Sequence, residues 1–173
     1  MIILGDIGNT ETKICFVNNN DKIIKKIVIP SKVKKLNLLN KYFKKLDFSS
    51  IDKILFCSVV PSTYKELKRY FYNKTKARCY ELKELNLKKI LKIDVNYKQV
   101  GSDRLANAIS VTQKNKNFII LDFGTATTFD VLIGNNYKGG IISPGIQISL
   151  NTLSDKASLI PKIDLKKITK VIG

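Results

Sequence analysis

Two short segments of the chain combine an aspartate, a glycine turn and hydroxyl side chains in the same order. The first is DIGNT, Asp6–Thr10, and the second is DFGTATT, Asp122–Thr128. Glycine turns expose backbone N–H groups at close range, and threonine and asparagine side chains add further donors for phosphate oxygens. A carboxylate beside a phosphate needs a cation between the two, so Asp6 and Asp122 are candidate ligands, direct or through water, for Mg²⁺ or a monovalent ion.

The two segments belong to an internal repeat. The alignment that places Asp6 on Asp122 also places Gly8 on Gly124, and each segment lies between two apolar, strand-like runs. Aspartate and glycine are common turn residues, so one copy alone would indicate only a turn. Two copies predict two hairpins that face each other across a cleft and hold one nucleotide phosphate tail from both sides.

A third segment, GSDR at Gly101–Arg104, lies between these turns. Asp103 falls in the first turn of a predicted helix, where the helix dipole favours a carboxylate, and Arg104 carries a planar guanidinium that suits a substrate carboxylate. In phosphoryl transfer to an alcohol, an aspartate positioned on the hydroxyl accepts its proton, so Asp103 is the candidate base. The alternative is a helix-capping aspartate beside a solvent-facing arginine.

The elements predicted around these segments are those of a mixed α/β protein. Residues 2–82 read as three strands, a helix, a strand, a helix and a strand. A helix with Ser102 as its N-cap is predicted to run to about Gln113, followed by three more strands and a helix from about Gly145 to Leu153. We predict an N-terminal half, residues 1–100, with the first phosphate turn. The C-terminal half, residues 101–173, holds the linking helix and the second phosphate turn.

Composition excludes several classes of function. The chain contains no histidine, which excludes Ser-His-Asp and Cys-His hydrolases and leaves Asp, Glu or Lys as the general base. The net charge is +17, but only three of the 31 basic residues are arginine, and the lysines are dispersed along the chain. A general Lys, Asn and Ile bias explains this pattern as well as a binding face does, and we do not expect nucleic acid as a partner.

Cysteine usage and hydropathy favour a cytoplasmic protein. The three cysteines are widely spaced in apolar, strand-like contexts and predict buried thiols rather than a disulfide framework or a zinc site. The first residues lack a basic leader, and no apolar run approaches the ~18 residues of a membrane span. We therefore expect no membrane contact.

Four motifs together carry a family resemblance. The paired hairpins resemble those of the actin-like ATPases, which include sugar kinases, actin and Hsp70-type chaperones. DIGNT, GSDR, DFGTATTFD and GGIISPG occur in register over essentially the whole chain and closely resemble the type III pantothenate kinases. The resemblance implies an α/β fold of two βββαβαβα-type halves, a duplicated actin-like (ribonuclease H-like) ATPase fold.

The resemblance also implies an activity and its residues. The enzyme would use ATP to phosphorylate pantothenate to 4′-phosphopantothenate, the first step of coenzyme A synthesis, as a cytoplasmic homodimer that needs Mg²⁺ and K⁺ or ammonium. Asp103 matches the proton acceptor, Asp122 the potassium ligand, and Tyr97 a tyrosine of the loop before GSDR. The ATP-binding positions are Asp6, Ile7, Gly8, Asn9, Thr10, Glu11, Thr12, Lys13 and Thr125, and the pantothenate-binding positions are Gly101, Ser102, Asp103 and Arg104.

One departure from the family keeps two other functions open. Family members usually continue with a Gly-x-x-Thr-like segment and further elements, whereas this chain stops at Gly173. We therefore expect an incomplete second half, with an unpaired sheet edge and an uncovered apolar face. This departure and the positive charge favour a non-catalytic regulatory or accessory protein. A related kinase of a sugar or short acid is the other alternative, and the GSDR segment argues against it.

Overall fold

The computed structural model describes residues 1–32, 36–44 and 46–163. Within these residues the chain forms nine strands and four α-helices. They are β1 (Ile2–Ile7), β2 (Glu11–Val17), β3 (Ile23–Pro30), α1 (Leu36–Phe43), β4 (Lys53–Ser58), α2 (Pro61–Thr75), β5 (Arg78–Glu81), β6 (Lys92–Ile93), α3 (Ser102–Val111), β7 (Asn117–Phe123), β8 (Ala126–Ile133), β9 (Asn136–Pro144) and α4 (Ile146–Lys156).

The first sheet has the strand order β3-β2-β1-β4-β5. β1, β2 and β3 pair antiparallel, and β4 and β5 join them in parallel. Apolar residues of these strands, such as Ile3, Ile7 and Ile14, are completely buried. They form one hydrophobic core with residues of the helices, which include Phe43 of α1 and Phe71 of α2. The strand and helix order predicted for this part of the chain is confirmed.

The second sheet begins with the same three-stranded antiparallel arrangement. Its order is β6-β9-β8-β7, with β6 added in parallel to β9. The repeat differs in one detail: Asp6 pairs with Lys13 across its hairpin, whereas Asp122 pairs with Thr128. The second turn is therefore one residue shorter than the first. The predicted duplication of the hairpin is confirmed.

Helix α3 packs between the two sheets. Its Leu105 and Ala108 are fully buried in a cluster that includes Leu132 of the second sheet and, at its border, Leu55 of the first. The predicted N-cap at Ser102 is wrong by one residue, because Gly101 occupies that position and makes no side-chain cap. Because α3 contacts both sheets, it holds GSDR at the joint between them.

The outer face of the second sheet is apolar and exposed within the described residues. Ile119 and Phe123 of β7 and Ile141 of β9 are 69%, 64% and 68% exposed, and β7 forms the edge of the sheet. The expected open edge and uncovered apolar face are therefore present in this part of the chain. None of the described helices is long and apolar enough to cross a membrane.

Candidate active site

The two glycine turns meet at one cavity of about 400 Å³. The side chains of Asp6, Asp103 and Asp122 all line it, together with residues of both turns. The hydroxyls of Thr10 and Thr125 are hydrogen-bonded across the cleft, with 2.9 Å between their Oγ1 atoms. The prediction that the paired hairpins face each other across one cleft is confirmed, and Asp103 lies in the same cavity.

Each turn is closed by its own backbone. Gly8 N–H donates to the Glu11 carbonyl at 3.1 Å, and Gly124 N–H donates to the Ala126 carbonyl at 3.0 Å. Gly145 supports the second turn because its N–H donates to the Thr125 carbonyl at 3.0 Å, and a Cβ at this position would overlap that carbonyl. Backbone hydrogen bonds therefore hold both turns in shape.

The three carboxylates repel one another in the cavity. Burial is the largest effect on Asp6 and raises the pKa of its carboxyl, and the charges of Asp103 and Asp122 add to that rise. Lys13 and the thiol of Cys57 act in the opposite direction. An excess of negative charge in a partly buried cleft favours the binding of cations.

Asp103 is the one side chain of GSDR that lines the cavity. Its Oδ1 accepts a hydrogen bond from the backbone N–H of Arg104 at 2.8 Å. A Cβ at Gly101 would overlap this oxygen, so glycine is required for the carboxylate to keep its position. The candidate base is thus held at the N-terminus of α3 and faces the phosphate turns.

The side chains on either side of Asp103 point into the protein. Ser102 Oγ accepts from Ser58 N–H at 2.6 Å and donates to the Ser58 carbonyl at 2.9 Å. The Arg104 guanidinium donates from Nε and Nη2 to Asp130 Oδ1, at 2.8 and 2.6 Å. Burial acts to lower the pKa of Arg104, but the hydrogen bond and charge of Asp130 outweigh it and raise the pKa.

Asn107 is a site residue that the sequence analysis missed. It lies one turn after Asp103 on α3, and its Nδ2 donates to Asp122 Oδ2 at 3.0 Å. Residues four apart on a helix share a face, so this spacing from Asp103 could have identified it. The contact connects α3 directly to the carboxylate of the second turn.

Comparison with known proteins assigns the chain to a family. The family model for type III pantothenate kinases matches residues 2–173. The chain belongs to the type III pantothenate kinase family. It is 59% identical, over 175 residues, to the type III pantothenate kinase of Pelagibacter ubique strain HTCC1062, with 100% of this chain and 71% of that protein covered. ATP-dependent phosphorylation of pantothenate, in coenzyme A biosynthesis, is the activity of this family.

Solved structures agree with the expected fold. A crystal structure from Campylobacter jejuni, of a candidate Baf family transcriptional activator, superposes with a TM-score of 0.56 and 19% identity, covering 97% of this chain and 68% of that one. A candidate 2-dehydro-3-deoxygalactonokinase of Sinorhizobium meliloti gives a TM-score of 0.50 at 9% identity, covering 91% and 58%. With the family assignment, these likenesses confirm the duplicated actin-like fold.

Not every residue expected to bind ATP in this pantothenate kinase lines the cavity. The side chain of Ile7 is fully buried in the core, and the Thr12 hydroxyl is hydrogen-bonded to Ser31, 2.8 Å between oxygens. Tyr97 donates its hydroxyl to the Lys83 carbonyl at 3.0 Å. The expected ATP-binding residues that do line the cavity are Asp6, Gly8, Asn9, Thr10, Glu11, Lys13 and Thr125.

The donor set of the pantothenate kinase cavity suits hard cations. Its carboxylates and threonine hydroxyls are oxygen ligands of the kind that Mg²⁺ and K⁺ prefer. Among the described residues, no group of three His, Cys, Asp or Glu side chains could hold a metal ion unaided. Mg²⁺ usually takes one or two protein carboxylates and completes its shell with water and substrate phosphates.

Proposed function

We propose that the chain phosphorylates the terminal hydroxyl of pantothenate in the cavity shared by Asp6, Asp103 and Asp122, with Asp103 as proton acceptor. The observation that carries this proposal is the shared cavity itself: one candidate base faces two phosphate-binding turns. Phosphoryl transfer needs mainly the positioning of the reactants and the stabilisation of charge, and this arrangement supplies both.

The reaction forms one phosphorus–oxygen bond, breaks another and transfers one proton. The pantothenate hydroxyl oxygen forms a bond to the γ-phosphorus of ATP, and the bond from that phosphorus to the β–γ bridging oxygen breaks. The hydroxyl proton passes to the carboxylate of Asp103, and the products are ADP and 4′-phosphopantothenate. Backbone N–H groups of the two turns and the hydroxyls of Thr10 and Thr125 would hold the phosphates, and Lys13 would offset their charge.

We assign the metal ligands by the same chemistry. Asp6 and Asp122 would contribute oxygen ligands to Mg²⁺, and Asp122 would also hold K⁺ or ammonium while Asn107 orients its carboxylate. When bound, these cations neutralise charge on the phosphate oxygens. Burial and the charges of Asp103 and Asp122 raise the pKa of Asp6, and a bound cation would favour its ionised form.

Arg104 is our proposed contact for the pantothenate carboxylate, within the binding segment Gly101–Arg104. Two of its nitrogen atoms donate to Asp130, and Nη1 makes no hydrogen bond among the described residues.

We also propose that the enzyme is a cytoplasmic homodimer. The exposed apolar face of the second sheet supports association between copies of the chain.

The test is a phosphorylation assay with ATP and pantothenate in potassium and then in sodium. We expect turnover in potassium, a strong fall in sodium, and a loss of at least ~10²-fold in kcat for Asp103→Asn, since general base catalysis contributes roughly 10²–10⁴-fold. ATP binding by the variant should be retained. Asp47→Asn, which changes an exposed aspartate outside the cavity, is the control.

Two results would overturn this proposal. Activity of Asp103→Asn equal to that of the unmodified chain would remove Asp103 from the mechanism. Absence of pantothenate turnover, combined with DNA binding that weakens steeply with salt, would favour the accessory function instead.

A further inference from the structure

A buried ionic cluster connects helix α3 to the second sheet. It consists of Arg104 on α3, Asp130 on β8 and Tyr137 on β9. Asp130 and Tyr137 are completely buried, and Arg104 is 9% exposed. These three residues adjoin the site through Asp103, which precedes Arg104 in the chain.

One carboxylate oxygen receives all the strong donors of this cluster. Asp130 Oδ1 accepts from Arg104 Nε at 2.8 Å, from Arg104 Nη2 at 2.6 Å and from the hydroxyl of Tyr137. Within the described ranges, the other oxygen, Oδ2, accepts one hydrogen bond, from Thr128 Oγ1 at 3.5 Å. The Tyr137 hydroxyl therefore fixes the oxygen to which the guanidinium binds.

The backbone of β9 encloses the same guanidinium. A Cβ at Gly140 would lie 2.7 Å from Arg104 Nη2, so only glycine at this position leaves space for it. An arginine side chain normally has many rotamers, and burial against a fixed partner removes them. Arg104 is consequently held in one orientation.

One nitrogen of Arg104, Nη1, makes no hydrogen bond within the described part of the chain. Among the described residues, Tyr64 Oη is the only buried side-chain nitrogen or oxygen that lacks a hydrogen-bond partner. Nη1 of Arg104 likewise has no hydrogen-bond partner among these residues, and it does not belong to their buried, unsatisfied atoms. Asp130 thus occupies the side of the guanidinium and leaves its end free for another acceptor.

Stability alone is a weak explanation for this cluster. Removing two charges from water costs several kcal/mol per ion, and apolar residues of similar volume often stabilise a core as well or better. A buried ion pair that leaves one donor accessible is better suited to holding that donor in place. Preorganised donors bind a substrate group without the entropic cost of ordering them.

We propose that Asp130, oriented by Tyr137, is a positioning residue that holds Arg104 so that its free Nη1 binds the carboxylate of pantothenate. The inference rests on the proposed function, in which Arg104 contacts that carboxylate. It assigns to Asp130 and Tyr137 a role in substrate affinity, although neither touches the substrate.

The experiment compares the KM values for pantothenate and ATP in Asp130→Asn, Tyr137→Phe and Arg104→Lys. We expect the pantothenate KM to rise about tenfold in Asp130→Asn, as for the loss of one hydrogen bond to a charged group, and about threefold in Tyr137→Phe. The ATP KM and kcat should change less than about twofold, because an interaction made equally in the ground and transition states affects only KM. Calorimetric Kd values for pantothenate should follow its KM.

A double-mutant cycle separates positioning from a merely structural role. If Tyr137 acts through the guanidinium, Tyr137→Phe should have no further effect on the pantothenate KM in an Arg104→Lys background. Additive effects would overturn the inference. Tyr72→Phe, which removes an exposed hydroxyl from α2, is the matched control, and thermal unfolding checks that each variant is folded.

The outcomes distinguish this inference from the proposed function. An unchanged pantothenate KM in Arg104→Lys would overturn the carboxylate contact and, with it, the inference. A raised KM in Arg104→Lys together with unchanged values in Asp130→Asn and Tyr137→Phe would overturn the inference alone. If Asp130→Asn does not fold, Tyr137→Phe decides, because it removes a single hydroxyl and leaves the ion pair.

Discussion

At the scale of residues, the carboxylate of Asp6 in the cleft lowers the stability of the fold. Asp6 is partly buried beside two other carboxylates, and burial is the main reason that its pKa is raised. A carboxyl whose pKa is higher in the folded than in the unfolded chain opposes folding once it ionises. Its cost to stability is absent below the unfolded pKa near 3.8 and develops as the pH rises through the folded value.

We therefore expect Asp6→Asn to unfold at a higher temperature than the unmodified chain at neutral pH. The difference in unfolding temperature should disappear below about pH 3.8, where the Asp6 carboxyl of the unmodified chain is protonated in both the folded and the unfolded state. Kinase activity should be lost in the same variant. Thermal melts of both proteins from pH 3 to 8 measure the difference in unfolding temperature.

Asp47→Asn is the control, because its expected effect on stability at neutral pH has the opposite sign to that of Asp6→Asn. Hydrogen bonds from Ser49 lower the pKa of Asp47, so its removal should not stabilise the protein at neutral pH. A lower melting temperature for Asp6→Asn at neutral pH would contradict the proposed cost of the buried carboxylate.

Sequence reasoning found residues that act within one local motif and missed their distant partners. Asp103 and the two turns could be predicted because glycine, aspartate and threonine occur at turn spacing within a few positions. Arg104 was expected to reach a substrate, but its nearest partner, Asp130, is 26 residues away on another element. Spacing along the chain gives no information on such a pair, because only the packing of α3 on β8 brings the two together.

At the scale of elements, one hydroxyl of α3 bonds directly to the backbone of the first sheet. Ser102 is 1% exposed and satisfies both the N–H and the carbonyl of Ser58 at the end of β4. The sequence favoured Ser102 as a helix cap because serine prefers that position. The tertiary contact with β4 takes the hydroxyl instead, and this could not be read from local spacing.

Ser102→Ala should lower the free energy of unfolding by about 1–3 kcal/mol, since it removes the hydroxyl that contacts both part-buried backbone groups of Ser58. Chemical denaturation followed by circular dichroism measures the change. Ser110→Ala is the matched control on the same helix, because Ser110 is exposed and its hydroxyl donates to the Asn107 carbonyl within α3. If both substitutions change the free energy of unfolding equally, the contact with β4 adds no stability beyond that of an exposed serine hydroxyl.

Elements without periodicity were the least predictable. Residues 83–100 form short 3₁₀ turns and the two-residue strand β6. Their positions depend on distant groups: Lys92 N–H donates to the Asn135 carbonyl at 2.9 Å, and Lys83 Nζ donates to the Val100 carbonyl at 2.9 Å. The long strands and helices, in contrast, followed from alternating or helical apolar patterns that the local sequence contains.

At the scale of the whole molecule, the repeat allows the two halves to be compared at equivalent positions. Ile3 and Ile7 of β1 are completely buried beneath α1 and α2, whereas Ile119 and Phe123, which follow the same alignment on β7, are 69% and 64% exposed. The same strand pattern therefore forms a core in one half and a surface in the other. A contiguous apolar surface of this kind favours association.

We expect the 173-residue chain to associate through the outer face of its second sheet. Ile119 and Ile141 lie on this face, and burial of each would contribute roughly 1.5–3 kcal/mol. Replacing both by lysine should weaken association by about 100-fold or more. Sedimentation equilibrium should give twice the 19.6 kDa chain mass for the unmodified protein and the monomer mass for the double variant. The control is Ile23→Lys, at an exposed position of β3, which should leave the dimer intact. If the dimer persists when Ile119 and Ile141 are both replaced by lysine, the interface lies elsewhere.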